Sequence, residues 1–251
     1  MHIIEVPYHL DEYLPDLELP PHPHDGGAVV TAELPAGDAW DRLAVLYGKL
    51  AESVAAIAGE GEVTVLSGDC AASLGTMAGL QRAGLSPGIV WLDAHGDVQT
   101  PETTSSGYLA GMPLRLLAGY RPELIAAALG LKAVPEERIV LAGPRDLDPP
   151  EEAYLAQSLI TTCEVTDLAD ATLPEGPLYV HVDADVIDSA DLPGLRFPTP
   201  GGPTLAAVAG AIEALRATGR VAAVGLACSW VPGSAAAAAL LESFCSTRRI
   251  R

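Results

Sequence analysis

The sequence predicts an α/β fold with an open, mostly parallel sheet covered by helices on both sides. Short apolar runs of strand length alternate with longer helical patterns, which is typical of βαβ units. The runs are apolar at nearly every position, as expected for parallel strands that are buried on both faces. With 251 residues and 49% hydrophobic content, the chain can bury its own core, so a single domain over residues 1–251 is expected.

Seven segments have the length and composition of strands. Aliphatic and β-branched residues dominate them, and Gly, Pro or Asp residues lie near their ends. In chain order the predicted strands are His2–Val6, Val63–Ser67, Gly88–Asp93, Arg138–Ala142, a weaker candidate at Leu159–Thr162, Leu178–Asp183 and Val221–Cys228.

Four longer segments are rich in Ala and Leu, which favour helix. They are Ala39–Ile57, Ala71–Ala83, the segment after Pro203 to about Ala217, and Ser234–Cys245. In an open α/β sheet, ligands bind beyond the carboxyl ends of the strands. Reactive residues should therefore gather at those ends.

The overall composition excludes some partners and compartments. Thirty-three acidic against 14 basic residues, a net charge of -19, argue against nucleic acid or an anionic membrane as partner. No apolar run reaches 18 residues and the N-terminal segment carries acids, so neither a membrane span nor a signal peptide is expected. Four widely spaced cysteines fit reduced thiols. A cytoplasmic protein is predicted, whose acidic excess either keeps it in solution or neutralises bound cations.

Residues able to bind metal follow three of the predicted strands. Alternate residues of an extended segment project to one side, so side chains two positions apart can converge on one point. The residues concerned are Cys70 in the stretch SGDC, Asp93, His95 and Asp97 in DAHGD, and Asp183 and Asp185 in DAD.

This donor set favours a divalent metal. Oxygen donors with one or two nitrogen donors suit Mn, Mg or Fe(II), and cations would remove the repulsion between the neighbouring carboxylates. Either acidic string alone could equally be a loop of solvated turn residues. Two such strings, each after a buried strand, favour a metal site. Two adjacent ions could activate a shared water for attack on an electrophilic carbon, so hydrolysis is the predicted chemistry.

The stretches LDAHGDVQTPETTSSG, GMP, HVDADVID and PTPGG resemble the ureohydrolase family of arginases, agmatinases and formiminoglutamases, in the family's order. The resemblance implies a three-layer α/β/α fold with an eight-stranded parallel sheet, a binuclear manganese centre and hydrolysis of a guanidino or related C–N bond. It also implies a homo-oligomer, because family members are often trimers or hexamers.

The resemblance implies a role for each metal-binding residue. Asp93 and Asp183 match the carboxylates that bridge two metals and hold the attacking hydroxide, and His95 and Asp185 match the remaining ligands of one metal. Asp97 matches a ligand of the other metal, whose further ligand is normally the His of a GGDH motif.

Cys70 stands in place of that histidine. A thiolate is softer than imidazole and would shift the preference away from Mn, so one or two ions are expected and another divalent metal is an alternative. The other interpretation is that Cys70 is a small buried residue with no ligand role.

Two further positions depart from the family pattern. Ala110 stands where the family has a proton-shuttling His, and the stretch GLACSW, which ends at Trp230, lacks the Glu that holds the guanidinium. Plain arginine is therefore not the expected substrate, and a neutral or modified guanidine, such as an N-hydroxylated or formimino compound, is. His181, two residues before Asp183, is predicted to support the metal site or to replace the shuttle, and Tyr108 is a comparable candidate.

Other substrate-binding positions are retained. Gln99, Thr104 and Ser106 match loop positions that contact an amino-acid-like carboxylate, with Tyr108 in place of the usual Asn. Asp148, in a stretch that resembles the family's RDxDP segment, matches the residue that reads the substrate amine. Trp230 or its neighbour Ser229 takes the place of the missing Glu.

Three functions follow from these residues. The leading hypothesis is a metal-dependent hydrolase of a linear amidine, acting on a small molecule. The second is a catalytically silent paralogue that binds a metal or a ligand, which Cys70, Ala110 and the missing Glu favour. The third is an enzyme of the same fold that deamidates or deacetylates its substrate.

Overall fold

The structure, a computed structural model, describes residues 2–14, 27–169 and 171–227, together with positions 240 and 243. The predicted C-terminal helix thus lies almost wholly outside the described residues. The strands are β1 His2–Val6, β2 Tyr8–His9, β3 Glu12–Tyr13, β4 Ala28–Val29, β5 Val63–Ser67, β6 Gly88–Leu92, β7 Ile139–Ala142, β8 Thr161–Cys163, β9 Leu178–Asp183 and β10 Val221–Ala227. The helices are α1 Ala39–Ile57, α2 Ala72–Arg82, α3 Pro113–Leu117, α4 Ala126–Leu129, α5 Pro149–Leu155 and α6 Leu205–Ala217.

Eight strands form one sheet in the order β4-β1-β5-β10-β9-β6-β7-β8. Every pair in this sheet is parallel, whereas β2 and β3 form a separate antiparallel pair. The eight-stranded parallel sheet that the family resemblance implies is therefore confirmed. No helix in the described ranges is long and apolar enough to cross a membrane.

Helices cover both faces of the sheet because successive strand residues point to opposite sides. In β6, Ile89 and Trp91 pack into the cluster that includes α1 and α2, while Val90 and Leu92 pack into the cluster that includes α6. All four of these side chains are fully buried. The three-layer α/β/α architecture follows, with an apolar core on each side of the sheet.

Local sequence fixes the longer helices. The carboxylate of Asp38 accepts a hydrogen bond from the amide of Asp41 and caps α1, and the hydroxyl of Thr204 accepts one from Ala207 and caps α6. Such caps satisfy amides that have no partner inside the helix. Helix α1 has the predicted bounds, and α2 begins and ends one residue inside them.

Several predicted bounds need correction. Strand β6, predicted to end at Asp93, ends at Leu92, so Asp93 lies just beyond it. Arg138 was predicted to begin a strand but belongs to a 3₁₀ helix that precedes β7. The weak strand at Leu159–Thr162 is displaced to Thr161–Cys163, because residues 156–159 form the turn that ends α5. The two-residue strands and the helices α3, α4 and α5 were not predicted, since such short elements carry little periodicity.

Candidate metal centre

Three strands in the middle of the sheet lead to the predicted metal ligands at the same edge. Strand β5 leads to Cys70, β6 to Asp93 and β9 to Asp183, with β10 lying between β5 and β9. The turn after β5 needs Gly68, because a Cβ there would lie 2.3 Å from the carbonyl oxygen of Tyr8. This close approach brings the β2 segment beside the site.

Cys70 is buried against two of the acids. Its Sγ lies 2.9 Å from Oδ2 of Asp183 and 4.0 Å from Oδ2 of Asp93. Burial raises the pKa of the Cys70 thiol well above its usual value, and the charges of Asp183, Asp97 and Asp93 raise it further. A protonated thiol donates to Asp183, and a bound cation would have to displace that proton.

His95 lies between two carboxylates. Its Nδ1 is 3.0 Å from Oδ2 of Asp185 and 3.5 Å from Oδ1 of Asp93. Burial lowers the pKa of His95, but these contacts outweigh it and raise the pKa to about 12. The surroundings therefore strongly favour positive charge at this point, which a metal ion would also supply.

The bridging candidates Asp93 and Asp183 are held by backbone and side-chain donors. Asp93 accepts hydrogen bonds from the amide of His95 at 2.7 Å and from the indole of Trp91 at 3.0 Å, and Asp183 accepts one from the amide of Asp185 at 3.0 Å. Burial raises the pKa of Asp183 well above its usual value, and the charges of Asp185 and Asp93 add to the effect. Burial and the charge of Asp93 also raise the pKa of Asp185, to about 6.

Asp97 differs from the other acids of the centre in having a buried carboxylate oxygen without a hydrogen-bond partner among the described residues. Its side chain is buried, and its Oδ2 has no hydrogen-bond partner in the part of the chain that the structure describes. Burial, followed by the charges of Asp93 and Asp183, raises the pKa of Asp97 well above its usual value. Its φ of 52° departs from the extended backbone that the alternation argument assumed. A buried carboxylate oxygen without a partner is costly unless a cation binds it.

Two groups of ligand atoms result, and Asp93 belongs to both. Within each group the atoms lie within 4.8 Å of one another: Cys70, Asp93 and His181 form one, and Asp93, His95 and Asp185 the other. Adjacent groups that share a carboxylate fit a pair of divalent ions. The donors present and the unpartnered oxygen of Asp97 thus fit a metal centre.

His181 is packed inside the fold beside this centre. Its ring stacks on Trp91 with centroids 3.7 Å apart, and its Nδ1 lies 3.2 Å from the hydroxyl of Tyr179. Burial lowers the pKa of His181 to about 3, so the ring is neutral. The side chain is buried and does not reach the cavity described next. This placement favours support of the metal site over proton transfer to a substrate.

A cavity of about 680 Å³ opens onto the metal ligands. It brings together five of the six residues predicted to bind substrate, and the sixth, Trp230, lies outside the described residues. Its wall includes Cys70, His95, Asp97, Asp183 and Asp185 from the metal centre, Gln99, Thr104, Ser106, Tyr108 and Asp148 from the substrate prediction, and Ala110.

The polar side of this cavity is preorganised. The amide nitrogen of Gln99 donates to Asp148 at 2.8 Å, and its oxygen accepts from the hydroxyl of Thr103 at 2.7 Å. The hydroxyls of Thr104 and Ser106 accept hydrogen bonds from backbone amides at 3.1 and 3.2 Å. The two hydroxyls also lie 3.5 Å apart, so one can donate to the other while the second donates to an acceptor such as a carboxylate.

Tyr108 and Phe197 give part of the cavity wall an aromatic character, and of these only Tyr108 was predicted. The hydroxyl of Tyr108 lies 3.1 Å from Nε2 of His9, whose Nδ1 lies 3.1 Å from the carbonyl oxygen of Gly68. Phe197 packs against both rings. In the sequence His9 is an isolated histidine near the N-terminus, and no local signal links it to the site. Only the strand pair β2–β3 brings it there.

Arg145 joins the loops that surround the acids. Its guanidinium donates to the carbonyl oxygens of Asp185 at 2.8 Å, Val186 at 3.1 Å, Thr199 at 3.1 Å and Pro200 at 3.0 Å. One side chain thus fixes the segment that carries Asp185 against the PTPGG stretch. The role predicted for this RDxDP stretch, that Asp148 contacts substrate, is compatible with the position of Asp148 on the cavity wall.

The fold and the site together define a class of protein: a three-layer α/β protein with an acid-rich cavity at the carboxyl edge of its sheet, suited to divalent metals. Residues 13–228 match the model of the arginase family, and the chain belongs to this family. The arginase of Bacillus caldovelox is 33% identical over 171 residues, which cover 62% of this chain and 57% of that protein. The arginase of Neurospora crassa is 31% identical over 200 residues, 71% of this chain and 56% of that protein. The chain thus spans little more than half the length of these relatives.

Solved arginases share the whole fold. The Entamoeba histolytica arginase in complex with L-ornithine superposes with a TM-score of 0.82 at 19% identity, covering 98% of both chains. The Bacillus caldovelox arginase superposes with a TM-score of 0.80 at 23% identity, covering 100% of this chain and 99% of that one. A formimidoylglutamase from Bacillus subtilis gives a TM-score of 0.66 at 16% identity, over 96% and 84% of the two chains.

Proposed function

We propose that the protein is a divalent-metal-dependent hydrolase of a linear amidine C–N bond, and that its substrate is not plain arginine. The observation that carries the proposal is the pair of ligand groups that share Asp93 and open into a cavity lined by polar donors. In the reaction, a water oxygen bonds to the amidine carbon, the C–N bond breaks and the departing nitrogen takes a proton. A bound divalent ion supplies Lewis acidity and an activated water.

The chain's own residues would hold the metal and the substrate. His95 and Asp185 would hold one metal ion and Asp97 and Cys70 the other, with Asp93 and Asp183 contributing to both. Manganese, with one or two ions, is the metal that the family resemblance implies, and the thiol of Cys70 favours a softer ion at its own position.

Donors on the cavity wall support a substrate with a carboxylate or similar acceptor. The hydroxyls of Thr104 and Ser106 lie on the wall of a cavity that also carries Gln99 and Asp148. Since Gln99 is hydrogen-bonded to Asp148, the two side chains would bind the polar end of the substrate together. The aromatic side, with Tyr108, suits an apolar segment between that end and the amidine.

Proton delivery needs a group other than Ala110, which lacks an ionisable side chain. Tyr108 lies on the cavity wall, and its hydroxyl is hydrogen-bonded to His9. We assign proton transfer to the leaving nitrogen to this pair rather than to the buried His181. Tyr108→Phe should therefore lower kcat more than it raises KM.

The test is turnover by purified protein loaded separately with Mn, Fe, Co, Ni or Zn. The panel contains arginine, agmatine, N-hydroxylated guanidines and formimino compounds, with release of urea or ammonia as the readout. We expect turnover of a modified or neutral amidine, and loss of at least 100-fold in Asp185→Asn but not in the control Asp167→Asn, an exposed acid outside the site. No turnover with any metal, while ligand binding persists, would favour the silent paralogue. An acid as product, measured by mass spectrometry, would favour amide hydrolysis.

A homo-oligomeric assembly and a cytoplasmic location remain predictions.

A further inference from the structure

One ring nitrogen of His181 is buried and lacks a partner. Nε2 has no hydrogen bond within the residues that the structure describes, although the side chain is only 1% exposed. A buried polar atom of this kind is costly unless something binds it. The family resemblance gives His181 no metal-binding role.

The ring cannot easily turn to relieve this cost. Trp91 stacks on one side of it, and the hydroxyl of Tyr179 holds Nδ1. On the neighbouring strand Gly225 leaves room for this pair, since a Cβ there would lie 2.4 Å from the Tyr179 hydroxyl and 3.3 Å from Nδ1 of His181. The tyrosine contact at Nδ1 leaves Nε2 as the nitrogen available to a ligand, much as a partner on one nitrogen orients a metal-binding imidazole.

Cys70 and Asp93 lie next to this ring. Ligand atoms of Cys70, Asp93 and His181 lie within 4.8 Å of one another, and Oδ2 of Asp183 lies 2.9 Å from the sulfur. The ligand atoms around a tetrahedral zinc ion lie roughly 3.4 Å apart, given Zn–N and Zn–S lengths of about 2.0 to 2.3 Å. The atoms of Cys70, Asp93 and His181 would have to approach one another by at most about 1.4 Å, and the Asp183 oxygen would have to move slightly away from the sulfur.

From this geometry we infer that Cys70 and His181, together with Asp93 and Asp183, bind a thiophilic divalent cation, namely zinc, at the metal position that the proposed function gives to Cys70 and Asp97. Thiolate and imidazole ligands select Zn²⁺ over Mn²⁺, whereas the oxygen-rich group around His95 suits a harder ion. The change from His to Cys at position 70 is then compensated by His181 on strand β9. The inference goes beyond the proposed hydrolysis, because a silent protein could hold the same ion.

Cobalt(II) tests the site without any substrate. The full chain is stripped of metal under reducing conditions and titrated with Co(II), while the charge-transfer absorption between thiolate and cobalt is recorded. We expect this band in the natural protein and in the control Cys163→Ser, which changes the other described free cysteine. It should be lost in Cys70→Ser, and His181→Ala should weaken cobalt binding by at least ~10- to 100-fold.

X-ray absorption on zinc-loaded natural protein covers the case in which a variant does not fold. One sulfur neighbour at about 2.3 Å together with imidazole scattering is expected. Zinc or cobalt bound by oxygen and nitrogen alone, or an unchanged affinity in a folded His181→Ala protein, would overturn the inference. Neither readout measures turnover. The zinc site can therefore be confirmed while the hydrolase proposal fails, and the hydrolase proposal can be confirmed while the zinc site fails.

Discussion

Replacing Asp97 by Asn should stabilise the metal-stripped protein, and metal should remove most of that advantage. The carboxylate of Asp97 is buried beside Asp93 and Asp183, and its Oδ2 has no partner in the described ranges. An unsatisfied buried polar group costs about 1–3 kcal/mol, and an amide both removes the charge and offers a donor to the neighbouring acids. Metal-stripped Asp97→Asn should thus be more stable by about 2 kcal/mol, which raises Tm by roughly 4–8 °C in a chain of this size.

Metal should remove most of this advantage and leave the variant within about 1 kcal/mol of the natural protein. An ion at 100 times its Kd stabilises the folded protein by about 2.7 kcal/mol. If loss of the Asp97 ligand weakens binding ~10- to 100-fold, the same ion concentration gives only about 0.4–1.4 kcal/mol. Thermal unfolding of both proteins measures the stability without metal, in chelator, and the stabilisation by metal, in Mn. Glu60→Gln, which changes an exposed acid, serves as the control. A lower Tm of the stripped variant together with an undiminished metal effect would refute the reasoning.

Three further changes test other parts of the account. Cys70→His restores the imidazole of the family motif and should raise Mn affinity about tenfold or more by calorimetry; an unchanged affinity would mean that position 70 holds no metal. Gly225→Ala places a Cβ 2.4 Å from a tyrosine oxygen and should cost about 1–3 kcal/mol in denaturant unfolding, whereas the control Gly210→Ala, with open space around its Cβ, should be neutral or stabilising; equal effects would show that the sheet absorbs the contact. Burial raises the pKa of Glu136, but hydrogen bonds, above all that from Tyr154, lower it overall. A carboxyl group whose pKa is lowered by folding stabilises the fold at pH values above its usual pKa of 4.5, and this stabilisation is lost as the pH falls below 4.5. Glu136→Gln should therefore lower Tm by ~2–4 °C at neutral pH and by progressively less below pH 4.5. A decrease in Tm that does not change with pH would contradict this.

The central strands and the acids after them could be predicted from the sequence. Strands β5, β6 and β9 are continuous apolar runs, because both of their faces are buried, and the carboxyl ends of parallel strands share one edge. That rule alone places Cys70, Asp93 and Asp183 near one another. The positions of the long helices α1 and α6 could also be predicted, since each combines helix-forming residues with an N-terminal cap.

The parts that depend on long-range packing could not be predicted. His9 reaches Tyr108 only because a two-residue strand pair folds back over Gly68, and such a pair has no periodicity to detect. His181 was expected on the metal side of its strand, but its stacking on Trp91 and its position behind Cys70 depend on the register between β9 and β6. The left-handed backbone at Asp97 likewise has no signature in its residue type alone.

Anomalous diffraction from crystals grown with Mn tests the metal centre most directly. The account predicts a strong peak within ligand distance of Asp93, His95, Asp183 and Asp185, with the carboxylate of Asp97 turned toward a second position beside Cys70. Ordered side chains of these four residues that point away from one another, with no anomalous peak among them at millimolar metal, would contradict it.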